Sequence, residues 1–270
     1  MKEKELSLEE IQKLEIEVLD RVAEFCENNN IRYFLAGGTL LGAVRHKGFI
    51  PWDNDIDIAM PRADYEKFLD ASVEFEKHNK EYKVINSVLY GTTYVPYAKV
   101  IDKKTRLIEI GDKKQIDQSL FIDVFPIDGY GDKLEFAEKR FVDLGKVSGR
   151  LKRAVEPINR GNLELMSKGI VCKLLYSSRI TQTQQSLEHE LKSIEFDNSR
   201  YVASTFGMRG IKEIIEKKYF DDYVMLKFNE HEYRSPVGYD QYLKQMYGNY
   251  MQLPPKEKQV IPHDFEIFWR

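Results

Sequence analysis

Residues 35–60 read LAGGTLLGAVRHKGFIPWDNDIDIAM, and three aspartates in this stretch, Asp53, Asp55 and Asp57, fall at every second position. Successive side chains of a strand alternate faces, so these three would share one face while Ile56 and Ile58 point the other way, into a core. Like charges side by side repel. They ask for a positive partner, most simply a divalent metal; a solvent-facing edge strand with decorative charge is the plainer alternative. An EF-hand calcium loop is excluded, because Ile58 stands where that loop needs glycine and Asp64 where it needs glutamate.

Ahead of the aspartates, Ile31–Ala36 reads as a buried strand, Gly37-Gly38 as the turn out of it and Thr39–Arg45 as a short helix. A strand, two glycines and a helix start gather free backbone N–H groups and the positive helix end in one place, a natural phosphate cradle. A plain tight turn is the commoner meaning of such a pair. The spacing fits neither a Walker loop nor a dinucleotide fingerprint. Arg45, His46 and Lys47 follow directly as candidate phosphate clamps, His46 being better suited to a structural or hydrogen-bonding role than to proton shuttling. Further upstream, Ser7 and Glu10 form a capping box, and Leu8, Ile11, Leu14, Val18, Val22 and Phe25 follow at helical spacing up to Asn28-Asn29-Asn30. Pro51 and Trp52 lead into the aspartate run, and Pro61 opens the next helix.

Downstream, Tyr94–Ile101 and Arg106–Ile110 alternate as the two strands of a hairpin with Lys103-Lys104 at its tip. Lys99 lies mid-strand, either as a phosphate contact or as an ordinary exposed lysine. In FIDVFPID (121–128), Asp123 is a lone charge in an apolar strand, and burying an unpaired carboxylate is costly. A partner cation or an outward orientation resolves that cost. Asp128-Gly129 reads as a turn. Leu134, Ala137, Phe141, Leu144 and Val147 then mark an amphipathic helix, and Leu163–Ile194 one or two more. Residues 146–180 hold far more Lys and Arg than acids, which are only Glu156 and Glu164. Such a face suits anionic lipid or a polyanionic acceptor, or simply water. Tyr201–Ser204 and Tyr223–Phe228 read as short strands, followed by a helix near Tyr239–Tyr247.

The net charge of −3 and the apolar fraction of 42% describe an ordinary soluble globular chain, with nothing to suggest a nucleic-acid partner. The two cysteines, Cys26 and Cys172, read as reduced, buried thiols. No apolar run approaches the roughly 18 residues that span a bilayer, and MKEKELSLEE is too charged for a signal peptide. The expectation is a cytoplasmic protein, with peripheral membrane contact at the inner face through residues 146–180 as an option.

The run AGGTLLGAVRHKGFIPWDNDIDIAMPRADYEKF (36–68), followed in order by YAKV (97–100), FIDVFPIDG (121–129) and YGNYMQLPP (247–255), resembles the signature of the LicD family. The resemblance implies an α/β (α+β) fold of the nucleotidyltransferase, polymerase-β-like type: a mixed sheet flanked by helices, with a largely helical second half. Residues 1–130 would be the catalytic core and 131–270 a mostly helical acceptor-binding region. It implies Mg²⁺ or Mn²⁺ held by Asp55, Asp57 and Asp123, with Asp123 as base and Asp53 in support. Gly37, Gly38 and Thr39 would form the phosphate loop, and Arg45, His46, Lys47, Trp52 and Lys99 further substrate contacts. The implied activity moves a phospho-alcohol, most often phosphocholine, from CDP-choline or another CDP-alcohol to a hydroxyl of a glycan or lipid-linked glycan such as teichoic acid or lipopolysaccharide, releasing CMP; fukutin and its relative use CDP-ribitol. Nucleotidyl transfer from an NTP with pyrophosphate release, and a non-catalytic nucleotide-binding scaffold, are the alternatives. A choline cargo would want an aromatic cage, for which Trp52, Tyr94 and Tyr97 are candidates. Two positions depart from the pattern: Asn54, facing away from the aspartate face on a strand reading, and Asn249, both where Asp is common.

Overall fold

The computed structural model describes residues 4–86, 96–109, 118–156, 158, 161–261 and 265–270. The fold is α+β. The chain forms two compact units, neither of them continuous in sequence. The first comprises Met1–Ile85, Lys99–Phe125 and Lys218–Arg270; the second, Asn86–Ala98 and Pro126–Lys217. This differs from consecutive regions at 1–130 and 131–270, because Lys218–Arg270 fold with the N-terminal segment.

In the first unit, α1 (Leu8–Asn28) starts on the expected capping box: Ser7 Oγ accepts from the Glu10 N–H at 3.3 Å, and Glu10 Oε2 accepts from the Ser7 N–H at 2.8 Å. Its buried stripe is Ile11, Leu14, Glu15, Val18, Leu19, Val22 and Cys26, apolar but for one acid. The strand expected over 31–36 is shorter, β1 (Phe34–Leu35), and α2 (Gly37–Arg45) follows. β2 (Asp57–Pro61) pairs antiparallel with β1, setting Leu35 opposite Ile58. Pro61 ends β2, and α3 (Arg62–Asp70) and α4 (Ser72–His78) follow, with Phe25 and Phe75 ring centroids 5.3 Å apart edge to face. Next come β3 (Tyr82–Asn86), β4 (Ala98–Asp102), β5 (Thr105–Glu109) and β6 (Phe121–Gly129). The sheet order is β1-β2-β6-β4-β3.

The hairpin expected between 94–101 and 106–110 does not form among the described residues. Beyond Asp102 the backbone is drawn elsewhere: the Asp102 N–H donates to the Leu120 carbonyl at 2.8 Å and the Lys103 N–H to the Glu81 carbonyl at 2.9 Å. The Thr105 hydroxyl closes this corner, donating to the Asp102 carbonyl and accepting from the Leu120 N–H. β5 therefore leaves β4 and pairs with the last strand of the chain.

The second unit holds α5 (Leu134–Val155), α6 (Leu163–Tyr176) and α7 (Ile180–Lys192), then β7 (Tyr201–Ala203) and β8 (Ile215–Glu216). Tyr130, Phe141, Leu144, Leu151, Leu187 and Leu191 are among its core. Asp128-Gly129 is not a turn: both residues lie in β6 and pair antiparallel with β7, Asp128 opposite Ala203. The remaining elements, β9 (Tyr223–Phe228), β10 (His231–Pro236), α8 (Tyr239–Tyr247) and β11 (Phe265–Trp269), belong to the first unit. β11 pairs with β5, Ile267 opposite Leu107. Cys26 and Cys172 are free, buried thiols.

Glu213, in the second unit, is buried and accepts from the Arg209 N–H at 3.1 Å. Burial pushes its carboxyl up to about 7 from 4.5, against the pull of Arg209. Between those pH values the folded chain keeps a proton that the unfolded chain releases, so stability falls as pH rises across that window. Glu213→Gln is expected to flatten this fall by up to about 3 kcal/mol in urea unfolding from pH 4.5 to 7.5. Superimposable pH profiles would contradict the assignment.

Candidate active site

The site is built where β1, α2 and β2 meet. The Ala36 N–H donates to the Asp57 carbonyl at 3.0 Å, and the Asp57 N–H donates to the buried Thr39 hydroxyl at 2.8 Å. Thr39 therefore clamps the first turn of α2 to the start of β2. Gly37 has φ +53°, a left-handed conformation that side chains disfavour. A Cβ on Gly37 would lie 2.7 Å from Asp57 Oδ2, and one on Gly38 2.9 Å from Asp53 Oδ2. Glycine is thus demanded at 37 by its backbone and by Asp57, whereas at 38 only the end of the Asp53 side chain would have to move. The Gly37 N–H donates to the Tyr242 hydroxyl of α8 at 3.3 Å.

The three aspartates do not share a regular strand. Only Asp57 belongs to β2; Asp53 and Asp55 precede it in irregular backbone. The Asp53 N–H turns back to the Ile50 carbonyl, and the Asp53 carbonyl accepts from Gln12 Nε2 of α1 at 2.8 Å, which keeps this run off the ladder. The alternation nevertheless survives: Asn54, Ile56 and Ile58 are buried, while Asp53, Asp55 and Asp57 are partly exposed. The Ile56 carbonyl accepts from the Asp123 N–H at 2.9 Å, bringing β6 alongside.

Asp123 is buried, and Lys99 Nζ of β4 meets its Oδ1 at 2.6 Å. The Lys99 ammonium also sits 3.3 Å from the Phe121 ring centroid, with its side chain 12% exposed. Lys99 is therefore not an ordinary surface lysine, and the lone acid of the apolar strand has a cationic partner.

Glu15 is a further carboxylate that the motifs do not single out. It lies on the buried stripe of α1, 2% exposed, and its Oε2 has no hydrogen-bond partner among the described residues. Burial pushes its carboxyl well up, and the charges of Asp55, Asp53, Asp57 and Asp123 push it further. Asp57 is raised by burial and by Asp55, Asp123 and Asp53, with Lys99 pulling the other way. A lone acid in register with Ile11 and Leu19 was the sequence signal for Glu15. Nothing local pointed to Gln12 or Tyr242. Among the described residues, no three His, Cys, Asp or Glu side chains stand together as a set that could hold a metal ion as placed.

The other expected contacts are tied to the C-terminal part of the first unit. Arg45 Nε donates to His46 Nε2 at 2.8 Å, and Arg45 Nη1 donates to the Tyr250 carbonyl at 2.9 Å. Burial lowers the pKa of both groups, and the Arg45 charge lowers that of His46 further. Trp52 stands edge-on to His46 at 6.5 Å. Lys47 is exposed with φ +60°, its carbonyl accepting from the Asn229 N–H at 2.7 Å. Tyr94 lies outside the described residues.

The model of the nucleotidyltransferase domain of LicD, FKTN and FKRP matches residues 30–145, which carry all four aspartates, both glycines and Lys99. The lipopolysaccharide cholinephosphotransferase LicD of Haemophilus influenzae is 31% identical over 270 residues, covering 98% of this chain and 99% of that one. The chain belongs to the LicD family. The ribitol 5-phosphate transferases FKRP of mouse and human are 53% identical to it over 34 residues, 13% of this chain and 7% of theirs. As a LicD protein it is a transferase of phosphorus-containing groups.

Gly37→Ala combines a left-handed backbone with a collision against Asp57. It is expected to lower stability by about 2–3 kcal/mol in urea unfolding. Gly38→Ala, with an ordinary backbone and only the Asp53 side chain to displace, should cost less. Wild-type stability in Gly37→Ala would show that the glycine is not required by this packing.

Proposed function

We propose that this LicD protein transfers a phospho-alcohol, phosphocholine foremost, from a CDP-alcohol such as CDP-choline to a hydroxyl of a cell-surface glycan precursor. Lipopolysaccharide is the first candidate acceptor and teichoic acid the second; CMP is the leaving group, and Mg²⁺ or Mn²⁺ the cofactor. The observation that carries this reading is the carboxylate cluster closed around Gly37 and Gly38, in a chain related end to end to a lipopolysaccharide cholinephosphotransferase.

A divalent cation suits the donors present. Carboxylate oxygens are the hard ligands that Mg²⁺ and Mn²⁺ prefer. Burial and the neighbouring aspartates raise the Glu15 and Asp57 carboxyls, with Lys99 pulling Asp57 the other way, so a bound cation would favour their ionised forms. Asp55, Asp57 and Asp123 would hold the ion, which when bound supplies charge neutralisation for the phosphoryl oxygens and the leaving group.

The protein's own groups do the rest. The acceptor hydroxyl attacks the β-phosphorus in line, the bond from that phosphorus to the oxygen bridging the α-phosphate breaks, and CMP departs with the electron pair. The hydroxyl proton passes to the Asp123 carboxylate. Lys99, 2.6 Å away, balances Asp123 before the donor arrives. Glycine at 37 and 38 lets the backbone approach the diphosphate without a side chain between.

Incubated with Mg²⁺, CDP-choline and a glycan acceptor, the protein is expected to yield CMP and a new phosphodiester, both visible by phosphorus NMR. Asp57→Asn should slow CMP formation by on the order of 10³-fold. Pyrophosphate from CTP in place of CMP from CDP-choline would overturn the donor, and an unimpaired Asp57→Asn the role of the cluster.

A further inference from the structure

Helix α6 breaks the rule that a helix apolar on all sides is buried. Its sequence is LELMSKGIVCKLLY, yet among its residues only Gly169 and Cys172 are buried. Leu163 is 82% exposed, Leu174 79%, Leu175 62% and Val171 51%. At 100° per residue Leu163, Ile170 and Leu174 lie opposite Gly169 and Cys172, with Val171 and Leu175 on the flank and Ser167 and Glu164 among them. The neighbouring helix α7 shows what water normally selects: its exposed positions are Thr181, Gln182, Gln185, Ser186, His189, Glu190 and Lys192. Both helices pack on α5 in the same compact unit, so the apolar arc is particular to α6.

Its surroundings are basic. The C-terminal half of α5, against which α6 packs, exposes Arg150, Lys152 and Arg153; α6 itself exposes Lys168, and Arg179 follows it. Glu164 pairs with Lys168 and Glu156 lies 3.6 Å from Lys152, which leaves the region net positive. No helix among the described residues is long and apolar enough to cross a membrane. Fourteen residues of helix span ~21 Å, short of the roughly 30 Å hydrocarbon core.

We propose that α6 is a membrane-surface anchor, lying in the plane of an anionic bilayer. Leu163, Val171, Leu174 and Leu175 sit at the headgroup–acyl boundary, and the flanking Lys and Arg side chains meet lipid phosphates. Charge selects this occupant over a second copy of the chain. Two such faces brought together would set basic flank against basic flank, whereas anionic headgroups neutralise them. The inference stands on the second unit alone and is independent of the chemistry proposed for the first.

The test is co-sedimentation of the full-length chain with vesicles of equal parts phosphatidylglycerol and phosphatidylcholine, against vesicles of phosphatidylcholine alone. Binding to the anionic vesicles is expected, at least tenfold weaker both for Leu174→Ser/Leu175→Ser and for Arg150→Gln/Lys152→Gln/Arg153→Gln. Unchanged thermal melting verifies that both variants are folded. Absence of binding to anionic vesicles, or wild-type binding by both variants, would overturn the proposal. So would a lipid-free dimer in sedimentation velocity that the leucine variant abolishes, because that result assigns the face to a second copy.

Discussion

Repulsion among crowded carboxylates, some buried and some partly exposed, is the constraint around which the first unit is built. Burial raises the Glu15 and Asp57 carboxyls, and the charges of Asp53, Asp55 and Asp123 raise both further. A fold keeps such a cluster only if the backbone leaves room and a cation or a bound proton relieves the charge. Gly37 and Gly38 make the room, since a methyl group on either would strike an aspartate oxygen. Lys99 relieves part of the charge through Asp123. What it leaves over is the physical case for a divalent ion.

The same constraint explains why both ends of the chain take part. α1 supplies Glu15 to the cluster and Gln12 to the Asp53 carbonyl, so the N-terminal helix is part of the site's wall. From the other end, Tyr242 holds the Gly37 N–H, Tyr250 holds Arg45, and Asn229 holds the turn at Lys47. Arg45 and His46 spend their hydrogen bonds on this bracing, which fixes α2 and with it the glycine turn. Cutting the chain into consecutive halves would separate these partners.

What the sequence disclosed was local. The Ser7–Glu10 capping box and a 3.6-residue period mark α1, and the same period marks α5. The alternation of Asp53, Asp55 and Asp57 gave the correct side for each carboxylate even though two of them lie outside any ladder. For Asp123, the cost of a lone buried charge correctly demanded a partner or an outward turn; Lys99, 24 positions away, is that partner, and only the sheet order brings it there. The failures share one cause. Whether 105–109 pairs with 98–102 or with a strand 160 residues on is decided by the corner at Thr105 and by the arrival of β11, neither of which leaves a periodic trace. Glu15 was legible as an acid on an apolar stripe, but its neighbours were not.

The central claim is that Asp55 and Asp57 anchor a divalent cation at this cluster. Its most direct test is Mn²⁺ binding followed by electron paramagnetic resonance in the presence of CDP-choline, for the wild type and for Asp55→Asn and Asp57→Asn. The account predicts that the free Mn²⁺ signal falls on addition of wild-type protein and that each substitution weakens binding at least tenfold. Equal Mn²⁺ uptake by all three proteins would contradict it.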